Sequence, residues 1–195
     1  MDTSIHPVTP DRLSDLLELF GSNGAYSNCW CTWFLLSNAD FDAATATERR
    51  SFLLGLVNDG AEPGLLAYRN GEPVGWCAVG PRSRYARMMS SRSRVYRPVD
   101  DHAAQWVVNC FYVAAEHRGS GIATELLDAA TRFAFERGAA RLEAYPIDSG
   151  ESRRSSAQLF TGTLGMFLEA GYVEIGRPNG RPLVRLERAR LPGGD

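Results

Sequence analysis

The chain of 195 residues contains no lysine, so all 21 of its basic side chains are arginines. Without lysine it cannot supply the Schiff-base lysine of pyridoxal-phosphate enzymes or the phosphate-loop lysine of Walker-type nucleotide hydrolases. Both enzyme classes are therefore poor explanations of this sequence. A formal net charge of −2 gives no general attraction to nucleic acid, so no nucleic-acid partner is expected.

Cysteines and long apolar runs are also scarce. Four cysteines are too few for a disulfide framework in a chain of this length, and they favour the reducing cytoplasm. No apolar stretch is long enough to cross a bilayer, and the first ten residues lack the basic and then apolar pattern of a secretory signal. We therefore expect a cytoplasmic protein with no membrane partner. Because no repeat or linker interrupts the sequence, residues 1–195 are predicted to form a single domain.

Hydrophobic periodicity and turn residues predict the element order β-α-α-β-β-β-α-β-α-β-β. The predicted strands cover residues 4–8, 64–68, 73–79, 105–113, 141–145, 172–176 and 182–187. Three predicted helices cover residues 11–20, 121–137 and 164–169. Another predicted helix is capped by Thr47 and buries Phe52, Leu53 and Leu56. Asn70-Gly71 supplies the positive φ angles of a tight hairpin. Strands that are mostly antiparallel, with one strand-helix-strand crossover, indicate an α/β fold of the α+β type.

The turn after the strand 105–113 contains two glycines and leads directly into a helix. Backbone N–H groups at a helix start have no internal partner, and the helix dipole adds positive potential, so this place can bind a pyrophosphate. Gly119 and Gly121 let the chain turn and let phosphate oxygens come close to the backbone. A plain glycine turn is one alternative. A dinucleotide fingerprint, with Glu143 on a ribose, is another, but Thr124 occupies its third glycine position.

The sequence Arg-Gly-Ser-Gly-Ile-Ala at 118–123 matches the Arg/Gln-x-x-Gly-x-Gly/Ala signature of the GNAT superfamily of N-acetyltransferases at Arg118, Gly121 and Ala123. The long strand before it, the amphipathic helix after it and the element order of nearly the whole chain also resemble this family. Residues 164–172 resemble the helix-Gly-aromatic segment near the family's C-terminus. The stretches at residues 29–34, 143–146 and 160–163 are similar to a subgroup of its bacterial members.

This resemblance implies a mixed, mostly antiparallel central sheet of about seven strands, splayed around a coenzyme A cleft, with helices on both faces. It implies acetyl-CoA as the acetyl donor and a primary amine of a small molecule or peptide as the acceptor. Pantetheine is expected to bind main chain near Phe111 and Val113, and the pyrophosphate to take N–H groups from residues 118–123. The expected cofactor residues are Phe111, Tyr112, Val113, Arg118, Gly119, Ser120, Gly121, Ile122 and Ala123.

Two residues of the strand 141–145 are the predicted proton-transfer groups. Strand alternation puts Leu142 and Ala144 on one face, so Glu143 and Tyr145 face the cleft if the first pair packs on the preceding helix. Glu143 is the predicted general base, acting through a water molecule, and Asp148 is the reserve. Many family members carry a tyrosine acid where this chain has Phe167. Tyr145, Tyr112 or a water molecule can replace that acid, or the thiolate can leave unprotonated. A structural pair between Glu143 and an arginine is the alternative. The departure at Phe167 also leaves open a non-catalytic acyl-CoA-binding sensor.

Aromatic and basic side chains supply the candidates for acceptor recognition. Trp30 and Trp33 lie in the connection between the first two helices, which in this superfamily borders the acceptor site. There they favour an apolar or cationic amine, and the alternative is that they cover the core. Residues 81–98 contain six arginines and no acid. A solvated surface loop is the first interpretation of this segment, and recognition of an acidic acceptor is the second.

The cysteines are expected to be structural. Cys110 lies on the predicted cofactor strand, where a buried cysteine is usually an inert part of the core. Cys29 and Cys31 have no histidine or further cysteine close by in the sequence, so no metal site is expected. The oligomeric state is not fixed by these patterns, and a homodimer is left open.

Overall fold

The structure, a computed structural model, describes residues 3–90, 93–96, 104–148, 150 and 155–188. One sheet contains seven strands: β1 (Thr3–Pro7), β2 (Gly64–Arg69), β3 (Glu72–Pro81), β4 (Gln105–Val113), β5 (Arg141–Ala144), β6 (Val173–Gly176) and β7 (Leu183–Glu187). Their spatial order is β1-β2-β3-β4-β5-β7-β6. β4 and β5 run parallel, and every other neighbouring pair in the described chain is antiparallel. The predicted mixed, mostly antiparallel sheet is confirmed.

Helices cover both faces of the sheet, as predicted. They are α1 (Leu13–Phe20), α2 (Asn38–Ala43), α3 (Ala46–Asn58), α4 (Ala86–Met89), α5 (Ile122–Glu136) and α6 (Leu164–Glu169). Buried side chains of α1, α3 and α4 form one apolar cluster, and those of α5 and α6 form a second cluster with the opposite strand faces. Among the residues that the structure describes, no helix has the length and apolar character needed to cross a membrane.

The sheet opens between its two parallel strands. β4 and β5 pair over three positions, and the last pair is Val107 with Glu143. Beyond this pair β4 continues for six residues to Val113, whereas β5 ends at Ala144. The side chains of Leu142 and Ala144 pack in the α5 cluster and Tyr145 packs in the α1 cluster, as strand alternation predicts. The cleft predicted between these strands therefore exists as a gap in the sheet.

The start of α3 differs from the sequence prediction. Thr45, and not Thr47, caps this helix, because the Thr45 hydroxyl accepts the N–H of Glu48 while the Glu48 carboxylate accepts the N–H of Thr45. This reciprocal pair is a capping box. Leu53 is fully buried as predicted, but Phe52 is 41% exposed. The helix therefore begins closer to the N-terminus and presents Phe52 to solvent.

The arginine-rich segment is not a solvated loop over its whole length. Arg82 and Arg87 are only 6% and 8% exposed, and residues 86–89 form α4. The interpretation as a solvated loop is wrong for both arginines, because protein acceptors replace water around their guanidinium groups. For example, the carbonyl oxygen of Tyr96 accepts a hydrogen bond from Arg82. Arg92 and Arg97, which belong to the same predicted loop, lie outside the described residues.

Candidate functional site

A cavity of about 530 Å³ lies where β4 ends and α5 begins. Its walls come from the end of β4, the glycine turn, the first turn of α5, Tyr26, Ser156 and Leu159. Its volume is within the range of small-molecule sites. Seven of the nine residues expected to hold the cofactor line it: Phe111, Val113, Arg118, Gly119, Gly121, Ile122 and Ala123.

Five consecutive backbone N–H groups, from Gly119 to Ala123, donate no hydrogen bond to any residue in the described part of the chain. The N–H groups of Thr124 and Glu125 are the next along the chain, and both donate to the carbonyl oxygen of Gly121, at 3.0 and 3.1 Å. Gly121 is the N-cap of α5 with a φ of 87°, and no side chain caps the helix. Unpaired donors at the positive end of a helix dipole make an anion site that needs no cationic side chain.

Side chains around the glycine turn fix its shape. The Ser120 hydroxyl donates to the carbonyl oxygen of His117 at 2.6 Å, and Arg69 donates to both the hydroxyl and the carbonyl oxygen of Ser120 at 3.0 Å. The Arg118 Nε donates to the carbonyl oxygen of Val113 at 3.0 Å. The Ser120 side chain therefore holds the turn and does not line the cavity, while its backbone N–H belongs to the unpaired row.

The gap between β4 and β5 is partly bridged by a later segment of the chain. The carbonyl oxygen of Phe160 accepts a hydrogen bond from the backbone N–H of Phe111 at 2.6 Å. The Phe160 ring stacks on Phe34, with 6.0 Å between the ring centroids. One of the backbone groups expected to face pantetheine is therefore already bonded to protein.

Glu143 lies in a buried ion pair. Its exposed fraction is 0%, and its Oε1 accepts hydrogen bonds from Nε and Nη2 of Arg185 at 2.9 and 2.6 Å. Its Oε2 accepts a hydrogen bond from the Gln105 side chain, with Nη1 of Arg82 4.0 Å away. This is the structural pairing that sequence reasoning left as the alternative, and the general-base role of Glu143 stays a prediction.

Tyr145 lies next to this ion pair and is also buried, at 2% exposure. Its hydroxyl accepts a hydrogen bond from Arg82 at 3.0 Å and donates one to the carbonyl oxygen of Tyr96 at 3.3 Å. Burial raises the pKa of Tyr145 to about 12, so the phenol keeps its proton at neutral pH, as a proton donor must. Neither Tyr145 nor Glu143 lines the 530 Å³ cavity, and the catalytic role of Tyr145 stays a prediction.

The sequence matches the model of the acetyltransferase (GNAT) family over residues 28–165. The chain belongs to the GNAT acetyltransferase family. The matched range contains the gap in the sheet, the glycine turn and Glu143. Acetyltransferases of this family use acetyl-CoA as the acetyl donor and require no metal. The identification as a GNAT protein from the signature at residues 118–123 is thereby confirmed.

Solved acetyltransferase structures share this fold at low sequence identity. YncA from Salmonella typhimurium, solved with its cofactor acetyl-CoA, is 15% identical with a TM-score of 0.55, covering 99% of this chain and 98% of its own. The ribosomal-protein-alanine N-acetyltransferase from Brucella melitensis is 21% identical with a TM-score of 0.53, and the match covers 95% of this chain and 99% of that protein. Diaminobutyrate acetyltransferase EctA from Paenibacillus lautus, in complex with L-2,4-diaminobutyric acid and coenzyme A, is 16% identical with a TM-score of 0.52. The match covers 99% of each chain. A search of curated proteins finds no match.

Trp30 and Trp33 take different places in this GNAT protein. Trp30 is 6% exposed, packs against Phe20 with ring centroids 6.0 Å apart, and borders a cavity of about 360 Å³. Trp33 is half-buried and lines a separate cavity of about 300 Å³, where the guanidinium of Arg87 lies 3.7 Å from its ring centroid. Neither tryptophan lines the 530 Å³ cavity, which we call the cofactor cavity after the residues expected to hold the cofactor. Their role in acceptor binding stays a prediction.

Tyr26 is the aromatic residue of the same connection that does line the cofactor cavity, together with Ser156 and Leu159. Burial raises the pKa of Tyr26, and the neighbouring Ser156 side chain opposes part of this rise. The ring of Tyr112, which does not line the cavity, packs on Tyr26 with centroids 5.1 Å apart and on Phe20 at 5.8 Å. Sequence reasoning singled out the tryptophans and missed Tyr26, because no local spacing links this residue to the helix start.

Cys110 is a buried free thiol on β4. A hydrogen bond with Cys31, together with burial, raises the pKa of Cys110 well above its ordinary value. The protonated thiol is a weak nucleophile, which agrees with the predicted role in the core. Among the residues described, no group of three or more histidine, cysteine or acidic side chains is placed to hold a metal ion.

Proposed function

We propose that the protein transfers the acetyl group of acetyl-CoA to a primary amine of a small molecule or peptide, by direct attack of the amine on the thioester. The observation that carries this proposal is the row of unpaired N–H groups from Gly119 to Ala123 at the wall of the 530 Å³ cavity. A diphosphate needs several convergent donors, and these amides supply them at the positive end of α5. Family membership supports the reaction class. The names of two structural relatives, a diaminobutyrate and a ribosomal-protein-alanine acetyltransferase, support both kinds of acceptor.

The bound cofactor has two proposed sets of contacts. The N–H groups from Gly119 to Ala123 hold the pyrophosphate, with the exposed Arg118 beside them. Main chain of Phe111 and Val113 holds pantetheine along the open side of β4. Acetyl-CoA supplies a thioester whose acyl carbon is open to an amine, and a backbone N–H of β4 near the acetyl carbonyl polarises it.

Proton transfer is proposed to involve buried groups behind the cavity. The attacking amine must lose a proton and the departing thiolate must gain one. Glu143 is the proposed acceptor through a water molecule, and Tyr145 is the proposed donor. Tyr26 is a second donor candidate, because it lines the cavity and its raised pKa keeps it protonated. In Tyr145→Phe and Tyr26→Phe, loss of kcat with unchanged KM identifies the donor.

The reaction is tested by incubating the protein with acetyl-CoA and a panel of amines while free thiol is measured. We expect thiol release that depends on the presence of one chemical class of amine, together with the acetylated product in a mass spectrum. Ala123→Asp, which places a negative charge among the proposed phosphate donors, serves as the matched variant with weakened cofactor binding. Thiol release at the same rate in this variant would show that another part of the chain holds the cofactor.

A non-catalytic acyl-CoA sensor is the second candidate function. It is favoured by Phe167, which occupies the place of the family's usual tyrosine acid and is fully buried between Phe111 and Tyr172, and by the ion pair that engages Glu143. Tight acetyl-CoA binding without turnover on any amine would support the sensor. For either function we propose a cytoplasmic location, supported by the free state of all four cysteines.

A further inference from the structure

A smaller cavity of about 300 Å³ lies beside α4 and is separate from the cofactor cavity. We call it the arginine pocket, and its main lining residues are Trp33, Asn38, Arg87, Ser90, Arg94 and Tyr96. Two of them are arginines from the segment that sequence reasoning assigned to a solvated loop, with recognition of an acidic acceptor as the second interpretation. The pocket has no acidic lining residue among the described part of the chain.

Three contacts hold Arg87 in this pocket, and none of them is made by a carboxylate of the described residues. Its guanidinium lies 3.7 Å from the centroid of the Trp33 ring, its Nε donates to the carbonyl oxygen of Trp33, and its Nη1 donates to the Asn38 side chain. Its Nη2 is buried and has no hydrogen-bond partner among the residues that the structure describes. Asp42 attracts Arg87 through space, but no carboxylate of the described residues forms an ion pair with it. A buried cation with an unused donor is costly unless an anion binds it.

The other lining groups suit the same kind of ligand. Arg94 is exposed and adds a second positive charge to the lining of the pocket. A guanidinium is planar and presents its N–H groups in one plane, which matches a carboxylate better than a spherical ion. The pocket therefore combines two cations with an oriented donor plane.

A layer of aromatic rings joins the arginine pocket to the cofactor strand. The Tyr96 ring packs against Tyr145 with centroids 5.2 Å apart and against Phe34 at 5.3 Å. Phe34 stacks on Phe160, whose carbonyl oxygen accepts the N–H of Phe111 on β4. Phe34 and Phe160 approach the gap between β4 and β5 from one side of the sheet. A ligand whose one end is held in the arginine pocket therefore lies on that same side.

We propose that the arginine pocket binds a carboxylate of the acceptor, so that the substrate class is an amine with a carboxylate several bonds from its amino group. This inference rests on the proposed acetyl transfer. The carboxylate binds Nη2 of Arg87, and Arg94 closes over it as the second cation. Because Nη2 has no contact with solvent, the incoming carboxylate displaces part of the pocket wall.

The test compares ω-amino acids of increasing length with their primary amides of equal length, at saturating acetyl-CoA. A charged hydrogen-bonded pair predicts that KM is about tenfold lower, or more, for the acid than for the amide at the best length. In Arg87→Met the ratio of the KM for the amide to the KM for the acid falls toward one. Arg132→Met removes an arginine from α5, on the other face of the sheet, and is expected to keep the ratio.

Because Arg87 also ties α4 to Trp33 and Asn38, its replacement can disturb folding, and a second pair of variants avoids this. Ser90→Asp introduces a carboxylate at the exposed rim of the pocket, where it competes with the ligand, and Ser90→Asn is the neutral variant of the same size. We expect the preference for the acid to disappear in Ser90→Asp and to persist in Ser90→Asn. Equal KM values for acids and amides in the unmodified protein overturn the pocket and leave acetyl transfer standing.

If no amine is turned over, calorimetric titration with δ-aminovalerate decides the question. Binding to the unmodified protein that weakens about tenfold or more in Ser90→Asp, but not in Ser90→Asn, supports the pocket although acetyl transfer has failed. Absence of binding, or equal binding to both variants, overturns the proposed pocket.

Discussion

The backbone N–H of Phe111 donates a 2.6 Å hydrogen bond to the carbonyl oxygen of Phe160 across the gap between β4 and β5. The two residues belong to distant parts of the chain and meet where pantetheine is proposed to lie. The acetyl carbonyl and the Phe160 carbonyl are therefore competitors for one donor. Binding of the acetylated cofactor requires either that residues near 160 move and release the Phe111 N–H, or that another N–H of β4 polarises the acetyl group.

The competition predicts the behaviour of Phe160→Ala. Removing the ring that stacks on Phe34 loosens the Phe160 carbonyl, which frees the Phe111 N–H for the acetyl oxygen. Free CoA lacks this oxygen, so the Kd ratio of CoA to acetyl-CoA is expected to rise about fivefold, the value of one neutral hydrogen bond of about 1 kcal/mol. Calorimetry with both ligands measures the ratio. Leu168→Ala, at an exposed position of α6, is the control. An unchanged Kd ratio in Phe160→Ala would show that the two carbonyl groups do not compete for the Phe111 N–H.

A negative charge introduced at the helix start separates helix stability from cofactor binding. Ala123 lies in the first turn of α5 and lines the cofactor cavity. In Ala123→Asp the carboxylate interacts favourably with the helix dipole, by about 0.3–1 kcal/mol, but it repels a phosphate. We expect an unchanged or higher Tm and a CoA Kd raised about tenfold or more, with a much smaller change in Ala123→Asn. If both variants bind CoA equally tightly, the phosphates do not lie at this turn.

Replacement of Glu143 tests the buried ion pair. Glu143→Gln removes the buried carboxylate of this pair, while Glu187 stays 3.6 Å from Arg185. Loss of one partner of a buried pair costs about 3–5 kcal/mol in free energy of unfolding. Urea denaturation measures this loss, and the double variant Glu143→Leu/Arg185→Met is expected to recover most of the stability. At a temperature where Glu143→Gln is folded, a large fall in kcat with unchanged KM supports the proposed base. Full stability in Glu143→Gln would contradict the ion pair.

The raised pKa of Tyr145 predicts that the free energy of unfolding falls at alkaline pH. Its pKa is raised from 10.0 to about 12 in the folded protein, so the unfolded chain loses this proton first. The stabilisation is fully present below pH 10 and is lost as the pH rises through about 12. In Tyr145→Phe the slope of unfolding free energy against pH in this window is expected to be shallower by about 1.4 kcal/mol per pH unit. Urea denaturation across the window checks this, and equal slopes in the two proteins would contradict it.

The parts of the fold that depend on local signals could be predicted from the sequence. Asn70 and Gly71 have the positive φ angles of 53° and 85° that their dipeptide indicates, and β4 has the predicted bounds. Gly121 has a left-handed φ at the helix start, where the glycine turn was expected. In each case the information lies within a few neighbouring residues, so no distant contact has to be known.

The features that sequence reasoning missed depend on contacts between distant segments. Arg87 is buried because the carbonyl oxygen of Trp33 and the side chain of Asn38, about 50 residues earlier, accept its hydrogen bonds. Tyr26 reaches the cofactor cavity, and Phe160 reaches β4, only once the sheet has formed. The capping box that begins α3 is different, because its pattern is local and could have been recognised.

The most direct test is a crystal structure of the protein with bound CoA. We predict that pyrophosphate oxygens lie within hydrogen-bond distance of backbone N–H groups between Gly119 and Ala123, with pantetheine along the open side of β4. A structure in which the nucleotide lies elsewhere, or in which these N–H groups bond to protein, would contradict the proposed cofactor site.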